Sequence, residues 1–529
     1  MIKEDLKKII KKAIKELQKN KKLGLFLIPE ILIEHPKEKI RGDYSTNIAF
    51  VIGKNNAINP IEVAMLLKTE IEKYKTLIEK IETIGGFINF FVSDDYFRKQ
   101  LDAILQKKNK FGSLDIGKNK KINVEFISAN PTGPLTLGNG RGGFCGDVLS
   151  NVLKKAGYKA TREYYINDTG VQIKKLGHSV IGDEEAVYKG EYIFELRKKI
   201  KESDAQKAGE KAAKIILEKM IKPSIKKMGI KIDVWFSEKK LYKNKEVNKV
   251  IDELSKKGFT YISEKAIWFK SKDMGDDKDR VLVRADGIKT YFASDIAYLK
   301  NKFKRKFKHL ILFLGADHHG YVARLKAAAL ALGYKKEDIS DIVMQLVRLF
   351  EKGKEVRMSK RTGIYITIDE LIDEVGLDVA RFFFLTRGNN TQFNFNMDLA
   401  KEKSDKNPVF KIQYAYARIC NIIKKAKNEI QKLEAGHIPL TFSSELNLMR
   451  QLAKFPEVIE ETAKDYQVQR IPQYAVETAD VFHNFYENCP VINNETKKIN
   501  QARLALVLAS KIVLKNNLDL MGISAPEKM

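Results

Sequence analysis

Residues 122–157 constrain the fold more than any other stretch. INVEFIS (122–128) is short and rich in β-branched residues, as a buried strand is. PLTLGNGRGG (134–143) follows it. Phe144, Val148, Leu149, Val152, Leu153 and Ala156 then fall on one helical face, and Gly157 stands where a helix ends. Strand, glycine-rich loop and helix make the first unit of a parallel α/β domain. Main-chain N–H groups at such a helix start, with glycines that admit a ligand, form an anion site. A tight turn without a ligand has the same signature. The loop lacks Lys and His. Thr136 and Asn139 are side-chain donors within it, and Asn139 could equally cap the helix.

The rest of the chain arranges itself around this unit. Residues 1–110 read as a small α+β domain, with GDYSTNIAF (42–50), a helix near 60–80 and the strand GGFINFFV (85–92). The polar, Gly/Lys-rich 107–121 reads as a linker. A Rossmann-like parallel-sheet domain is expected over 120–400, with an insertion near 160–280. It resumes at HLILFLGADHHG (309–320), and QLVRLFEKGKEVRMSKRTG (345–363) reads as a hairpin plus a basic loop. Thr367 and Glu370 form a capping-box pattern. From 401 to 529 glycine and proline thin out, and an all-helical bundle is expected.

Composition narrows the partners. Lys plus Arg number 96 against 68 Asp plus Glu, a formal net charge of +28, which favours a polyanion such as RNA or only a lysine-solvated surface. Cys145, Cys420 and Cys489 are far apart with no CxxC, so neither a disulfide framework nor a structural metal is expected, and a reducing cytoplasm fits. The N-terminal 20 residues have acids among the lysines and apolar positions at helical spacing; a first helix is expected there, not a targeting peptide. No apolar run reaches membrane-spanning length, so no membrane partner is expected.

Two further motifs carry chemistry. RMSKRTG (357–363) places Arg357, Lys360 and Arg361 on one loop, suited to charge developing in nucleotidyl transfer or to an ordinary basic surface. GADHHG (315–320) ends an apolar strand, where ligands of parallel sheets bind. Its adjacent histidines cannot share a strand face, so a two-His metal site is not expected.

SANPTGPLTLGNGRGG, GADHHG and RMSKRTG, in this order, resemble the class I aminoacyl-tRNA synthetases, most closely the arginyl-tRNA synthetase family. VEFISANPTGPL, GDVLSNVLKKAGY, YYINDTGVQI and DVWFSE resemble that family's catalytic core; GDYSTNIAF and GGFINFF its N-terminal domain; NPVFKIQYAYARI (407–419) and NNLDLMGISAPEKM (516–529) its anticodon-binding helices. The resemblance implies ATP-dependent ligation of L-arginine to its tRNA through an arginyl-adenylate, with Mg²⁺ accompanying ATP, by a cytoplasmic monomer. It places the first signature on Thr136, Leu137, Gly138 and Asn139, where the family has His-x-Gly-His, and implies main-chain ATP contacts at Gly138 and Gly140. It places Gly315 and His318 near the adenosine. Arg357, Met358, Ser359 and Lys360 match Lys-Met-Ser-Lys, and Lys360 is implied to serve the leaving pyrophosphate. For arginine it implies Glu238, Tyr291 and Asp295 at the guanidinium, and Glu125, Ser128 and Asn130 at the ammonium and carboxylate. For tRNA it implies Asn47. Read as residues alone, Glu125 could face solvent, Asp295 could cap a helix and Asn47 could be a turn residue.

Both signature histidines are absent. A charged donor is worth about 1 kcal/mol more than a neutral one, so two replacements cost on the order of 10- to 100-fold in rate. Arg141, Arg357, Lys360 and Arg361 are expected to offset part of that. The alternative is a catalytically silent tRNA-binding relative, which explains the missing histidines but not the set of arginine-pocket residues.

Overall fold

The computed structural model describes residues 2–74, 77–316, 319–356, 366–426, 440–491 and 497–529. Two compact units emerge. One comprises Met1–Phe111, Ile423–Glu457 and Val481–Ile512; the other comprises Gly112–Ile422, Val458–Asp480 and Val513–Met529.

In the first unit, helix Ile2–Lys19 buries Leu6, Ile10, Ala13, Ile14 and Leu17 at helical spacing. Strands β1 (Tyr44–Thr46), β2 (Ile78–Ile84) and β3 (Phe87–Val92) form an antiparallel sheet in the order β1-β3-β2. Gly85 and Gly86 close the β2–β3 hairpin at φ +55° and +93°, the left-handed pair a two-residue turn requires. Buried Glu457 accepts from the Tyr44 hydroxyl at 2.7 Å and pairs with His35 Nε2 at 3.0 Å.

The second unit holds β4 (Lys121–Glu125), β5 (Lys159–Ile166), β6 (Val234–Ser237), β7 (Thr260–Ser263), β8 (Ala266–Phe269), β9 (Arg280–Val283), β10 (His309–Gly315), β11 (Ile339–Met344), β12 (Val347–Glu351), β13 (Lys354–Val356) and β14 (Phe393–Asn396). Five of them form one parallel sheet, β11-β10-β4-β5-β6. The order reverses between β10 and β4, so the ligand crevice of such a sheet lies at their carboxyl ends. Two of the five, β5 and β6, come from the stretch expected to be inserted; helices between 171 and 227 connect them along the chain, and the small sheet β7-β8-β9 follows β6. The hairpin expected after 345 is β12–β13, turning at Lys352 and Gly353; the basic loop beyond it lies outside the described residues.

Register fixes which face each side chain takes. Glu125 pairs with Leu312, so both point to the side where Leu310 and Leu312 pack with helices Glu246–Lys256 and Tyr291–Lys304. Phe126, one residue on, points to the opposite face. There helix Leu137–Lys155 comes so close that a Cβ on Gly146 would lie 2.4 Å from the Phe126 ring. Helices Pro408–Lys425, Ser443–Ala453, Phe455–Asp465, Arg470–Asn488 and Lys497–Met521 dominate the C-terminal part. Among the described residues no helix is long and apolar enough to cross a membrane.

Candidate active site

The crest of β4 is strained. Ile127 and Ser128 lie at φ +66° and +38°, costly for side chains with a Cβ, and such strain clusters at ligand sites. The Ser128 hydroxyl accepts the Tyr165 N–H at 3.0 Å and donates to Glu125 Oε1 at 3.1 Å. The other Glu125 oxygen forms an ion pair with Lys302, which is 2% exposed. Glu125 is therefore a held group, not a solvent-facing one. Asn130 is exposed, and its carbonyl accepts the Thr132 N–H at 2.7 Å.

Beyond the ends of β6 and β10 stand two further carboxyls. Glu238, 1% exposed, follows β6. Burial pushes its pKa up to about 7; the hydrogen bond from Ser294 opposes the rise and the charge of Asp168 adds to it. Asp295 is also held at about 7, by burial first and by the charge of Glu238 second, against the opposing pull of Arg324 and a hydrogen bond with Tyr321. Asp295 does not cap its helix: Thr290 is the N-cap and Asp295 lies in the second turn. Tyr291 begins that helix, is 44% exposed, and its hydroxyl accepts the Val171 N–H at 3.0 Å. Two desolvated carboxyls, partly protonated at neutral pH, are suited to a cation that brings its own donors.

The glycine loop gives a different picture from its sequence. Thr136 is the N-cap of helix Leu137–Lys155, and Asn139 Oδ1 accepts both the Thr136 N–H at 3.0 Å and the Thr136 hydroxyl at 2.9 Å. The two residues bond to each other. The Thr136 hydroxyl proton is engaged, which leaves the Asn139 Nδ2 group as the side-chain donor of this pair. Gly138 is exposed, whereas Gly140 is buried with its Cα against Ile368. Arg141 corrects the expectation that it helps hold phosphate. It is fully buried, and its guanidinium donates to the carbonyls of Gln345, Gly388 and Thr391 at 2.8–2.9 Å. Its hydrogen-bonding capacity serves the scaffold.

Thr136 also bridges to Thr367, and the Ile368 N–H donates to the Leu135 carbonyl at 3.1 Å. The glycine loop is thus joined to the residues that follow RMSKRTG, where the Thr367–Glu370 capping box forms as expected. Gly315 ends β10 at the crevice. His318, Met358, Ser359 and Lys360 lie outside the described residues. Asn47 belongs to the other unit. It precedes helix Ile48–Asn56 without a side-chain cap bond, and its carbonyl accepts the Phe50 N–H at 3.0 Å.

Lys302, Tyr298 and Tyr321 escaped sequence reasoning. Tyr291, Asp295, Tyr298 and Lys302 recur at i, i+4, i+7 and i+11, one helical face, which was the available signal. The run LKNKFKRK hides it, because its lysines read as solvated. Beneath them Glu163, fully buried, accepts from Arg305 at 2.6 and 2.7 Å, from Asn123 at 2.8 Å and from Tyr298 at 2.5 Å. Burial opposes its ionisation, but the Arg305 hydrogen bonds and the Lys302 charge outweigh that and hold its pKa low.

Comparison with known proteins places this geometry. Residues 4–92 match the family model described as arginyl tRNA synthetase N terminal domain. Residues 100–187 and 179–393 match that of tRNA synthetases class I (R), catalytic domain, and 412–529 match the DALR anticodon binding domain. An arginine–tRNA ligase of Caldanaerobacter subterraneus subsp. tengcongensis is 43% identical, covering 100% of this chain and 99% of that protein. An arginine–tRNA ligase of Bacillus subtilis is 40% identical over 100% of both. The solved arginyl-tRNA synthetase of Thermus thermophilus superposes with a TM-score of 0.80 at 20% identity over 100% of both chains, a likeness of fold.

Proposed function

The chain belongs to the arginyl-tRNA synthetases of class I and ligates arginine to tRNA, and from that premise we propose how its residues divide the work. The observation that supports the arginine assignment is the pair of desolvated carboxyls, buried Glu238 and half-buried Asp295, whose pKa values are both held at about 7. A planar guanidinium supplies the charge and the paired donors that two carboxylates need. Tyr291 closes this end. Glu125, steadied by Lys302 and Ser128, receives the α-ammonium, with Asn130 beside it.

The arginine carboxylate oxygen attacks the α-phosphorus of ATP, the bond to the β-phosphate oxygen breaks, and arginyl-adenylate and pyrophosphate form. A terminal ribose hydroxyl of tRNA then attacks the arginyl carbonyl and AMP leaves. Mg²⁺ enters with ATP as part of that substrate. Gly138 and Gly140 bring the main chain to the phosphates, Asn139 donates through Nδ2, and Thr136 fixes Asn139. Gly315 and His318 take the adenosine. Met358, Ser359 and Lys360 complete the phosphate side, with Lys360 on the leaving pyrophosphate. Residues 120–400 carry catalysis, while 1–110, through Asn47, and 401–529 contact tRNA. The protein acts as a cytoplasmic monomer.

Charging of purified tRNA with labelled arginine, with and without ATP, tests this reading. ATP-dependent charging is expected; its absence with folded protein and cognate tRNA would leave only the silent relative. That alternative is not favoured, since the curated relatives at 40–43% identity over the whole chain are arginine–tRNA ligases.

A further inference from the structure

The amino-terminal end of the parallel sheet carries a second concavity. Lys121 pairs with Lys159 and His309 with Ile122, so this end is opposite the crest at Glu125 and Gly315. The seven residues of β10 separate the two ends by about 20 Å. A cavity of about 910 Å³ opens here.

Its charge is one-sided. Lys120, Lys306, Lys308 and Lys335 line it, with Asp338 as the one acid. None of these four ammonium groups has an ion-pair or hydrogen-bond partner among the described residues. Other lysines of the same unit that stand near acids are paired: Lys326 with Asp341 at 2.9 Å, and Lys239 with Glu210 at 2.7 Å. Four unneutralised cations around one hollow repel one another and attract an anion. His309 adds no charge at neutral pH, because burial lowers its pKa; its Nε2 is shared by Ser340 and Tyr466.

The rest of the lining is aromatic and apolar. Phe303 and Tyr334 stack with ring centroids 4.0 Å apart, Tyr158 and Tyr466 add two more rings, and Ile122, Leu153 and Phe307 complete it. Tyr466 and Lys306 hold φ angles of +62° and +67°, a conformation that side chains rarely adopt and that recurs at ligand sites. An apolar hollow of this size with a few convergent charges is the usual form of a small-molecule site.

We propose that this cavity binds a nucleotide, a phosphate anion joined to a flat ring, remote from the site where arginine is activated. The nucleotide is either free or one residue of an RNA strand, since both present the same chemistry.

The test uses the full-length protein with its catalytic site saturated by a non-hydrolysable arginyl-adenylate analogue. ADP is titrated calorimetrically into this complex. Equilibrium binding of the cognate tRNA is measured in parallel across a salt series. The perturbation is the triple charge reversal Lys306→Glu, Lys308→Glu and Lys335→Glu, at exposed positions outside the arginine and ATP sites. If the ligand is free, the wild-type complex binds ADP and the triple variant binds it at least 10-fold more weakly. If it belongs to RNA, ADP does not bind, but the variant loses at least 10-fold in tRNA affinity and its log K–log salt slope falls by about two. Unchanged thermal midpoint and unchanged kcat at saturating tRNA show that the variant is folded. If neither ADP nor tRNA binding changes, the proposal is overturned. Tyr466→Gly, which suits the left-handed backbone, removes one ring and no charge. It should weaken the nucleotide several-fold more than inorganic pyrophosphate in the same complex; equal loss for both would overturn the ring half of the proposal.

Discussion

Arginine binding should tighten steeply between pH 6 and pH 8. Glu238 and Asp295 both titrate at about 7 in the free protein, raised chiefly by burial. The guanidinium is charged throughout this range, so the competent state has both carboxyls ionised. With pKa values of about 7, roughly a tenth of each group is ionised at pH 6 and roughly nine tenths at pH 8. The doubly ionised fraction then rises from about 1% to about 80%, and the apparent Kd falls by about 80-fold. At pH 7 each carboxyl is half protonated, so arginine should release about one proton per site. Calorimetry in two buffers of different ionisation enthalpy measures both quantities. Glu238→Gln leaves one titrating group: the change from pH 6 to 8 should shrink to about 10-fold, with Kd at pH 8 weaker by about 100-fold. A Kd that moves less than about twofold over this range, with no buffer-dependent heat, would refute the reasoning, because desolvated carboxyls cannot receive a cation without losing their protons.

The same carboxyls link pH to stability. Their folded pKa values exceed the ordinary 3.8 and 4.5, so the stabilisation is complete below about pH 4 and is lost as pH rises through about 7; thermal scans should show a lower midpoint at pH 8 than at pH 6, and saturating arginine should narrow the gap. Asn139→Ala should slow adenylate formation by about 10-fold and cost about 1 kcal/mol of stability as a lost cap. Thr136→Ala should slow it less than about threefold, its hydroxyl being engaged by Asn139; equal effects in single-turnover assays would show that both side chains reach the phosphates. Arg141→Met should cost about 3 kcal/mol in denaturant unfolding by stranding three buried carbonyls, with little change in the KM for ATP where the protein stays folded. Lys302→Met should raise the arginine KM more than it lowers kcat, with partial rescue by Lys302→Arg; a pure loss of thermal stability with unaltered KM would assign Lys302 to the scaffold alone.

The parts legible in the sequence are those whose causes are local. The β4–loop–helix unit announces itself through an apolar run, glycines and one helical face, and the hairpin at Lys352–Gly353 does so through turn chemistry; Gly85 and Gly86, read as the start of a strand, instead turn β2 into β3. Strand β5, KATREYYI, did not, because Arg162 and Glu163 interrupt its apolar pattern. Both are buried, and both are satisfied from outside the strand: Arg162 by Asp147 at 2.9 Å, 15 residues earlier, and Glu163 by Arg305, which is 142 residues on. Arg141 misleads for the same reason. Its neighbours in sequence suggest phosphate, whereas the carbonyls it serves lie more than 200 residues away. A charged residue beside a motif belongs to that motif only if nothing distant claims it, and that condition is invisible in one dimension.

The three carboxyls of the proposed arginine site differ in how their charge is met, and that difference gives the pocket a direction. Glu125 has a dedicated buried partner in Lys302, so a counter-charge is in place before any ligand arrives, and an α-ammonium adds to an existing pair. Glu238 and Asp295 have no ion pair with a lysine or arginine among the described residues; Arg324 acts on Asp295 only as a nearby charge. The uncompensated end is therefore the far one. An amino acid lacking a side-chain cation would leave two desolvated carboxyls protonated and gain nothing there. A lysine ammonium would supply the charge at one point, whereas a guanidinium spreads five donors in a plane and can engage both carboxylates together. In the proposed site, selection would then rest on withholding a counter-ion at the end where substrates differ and providing one at the end where they are alike.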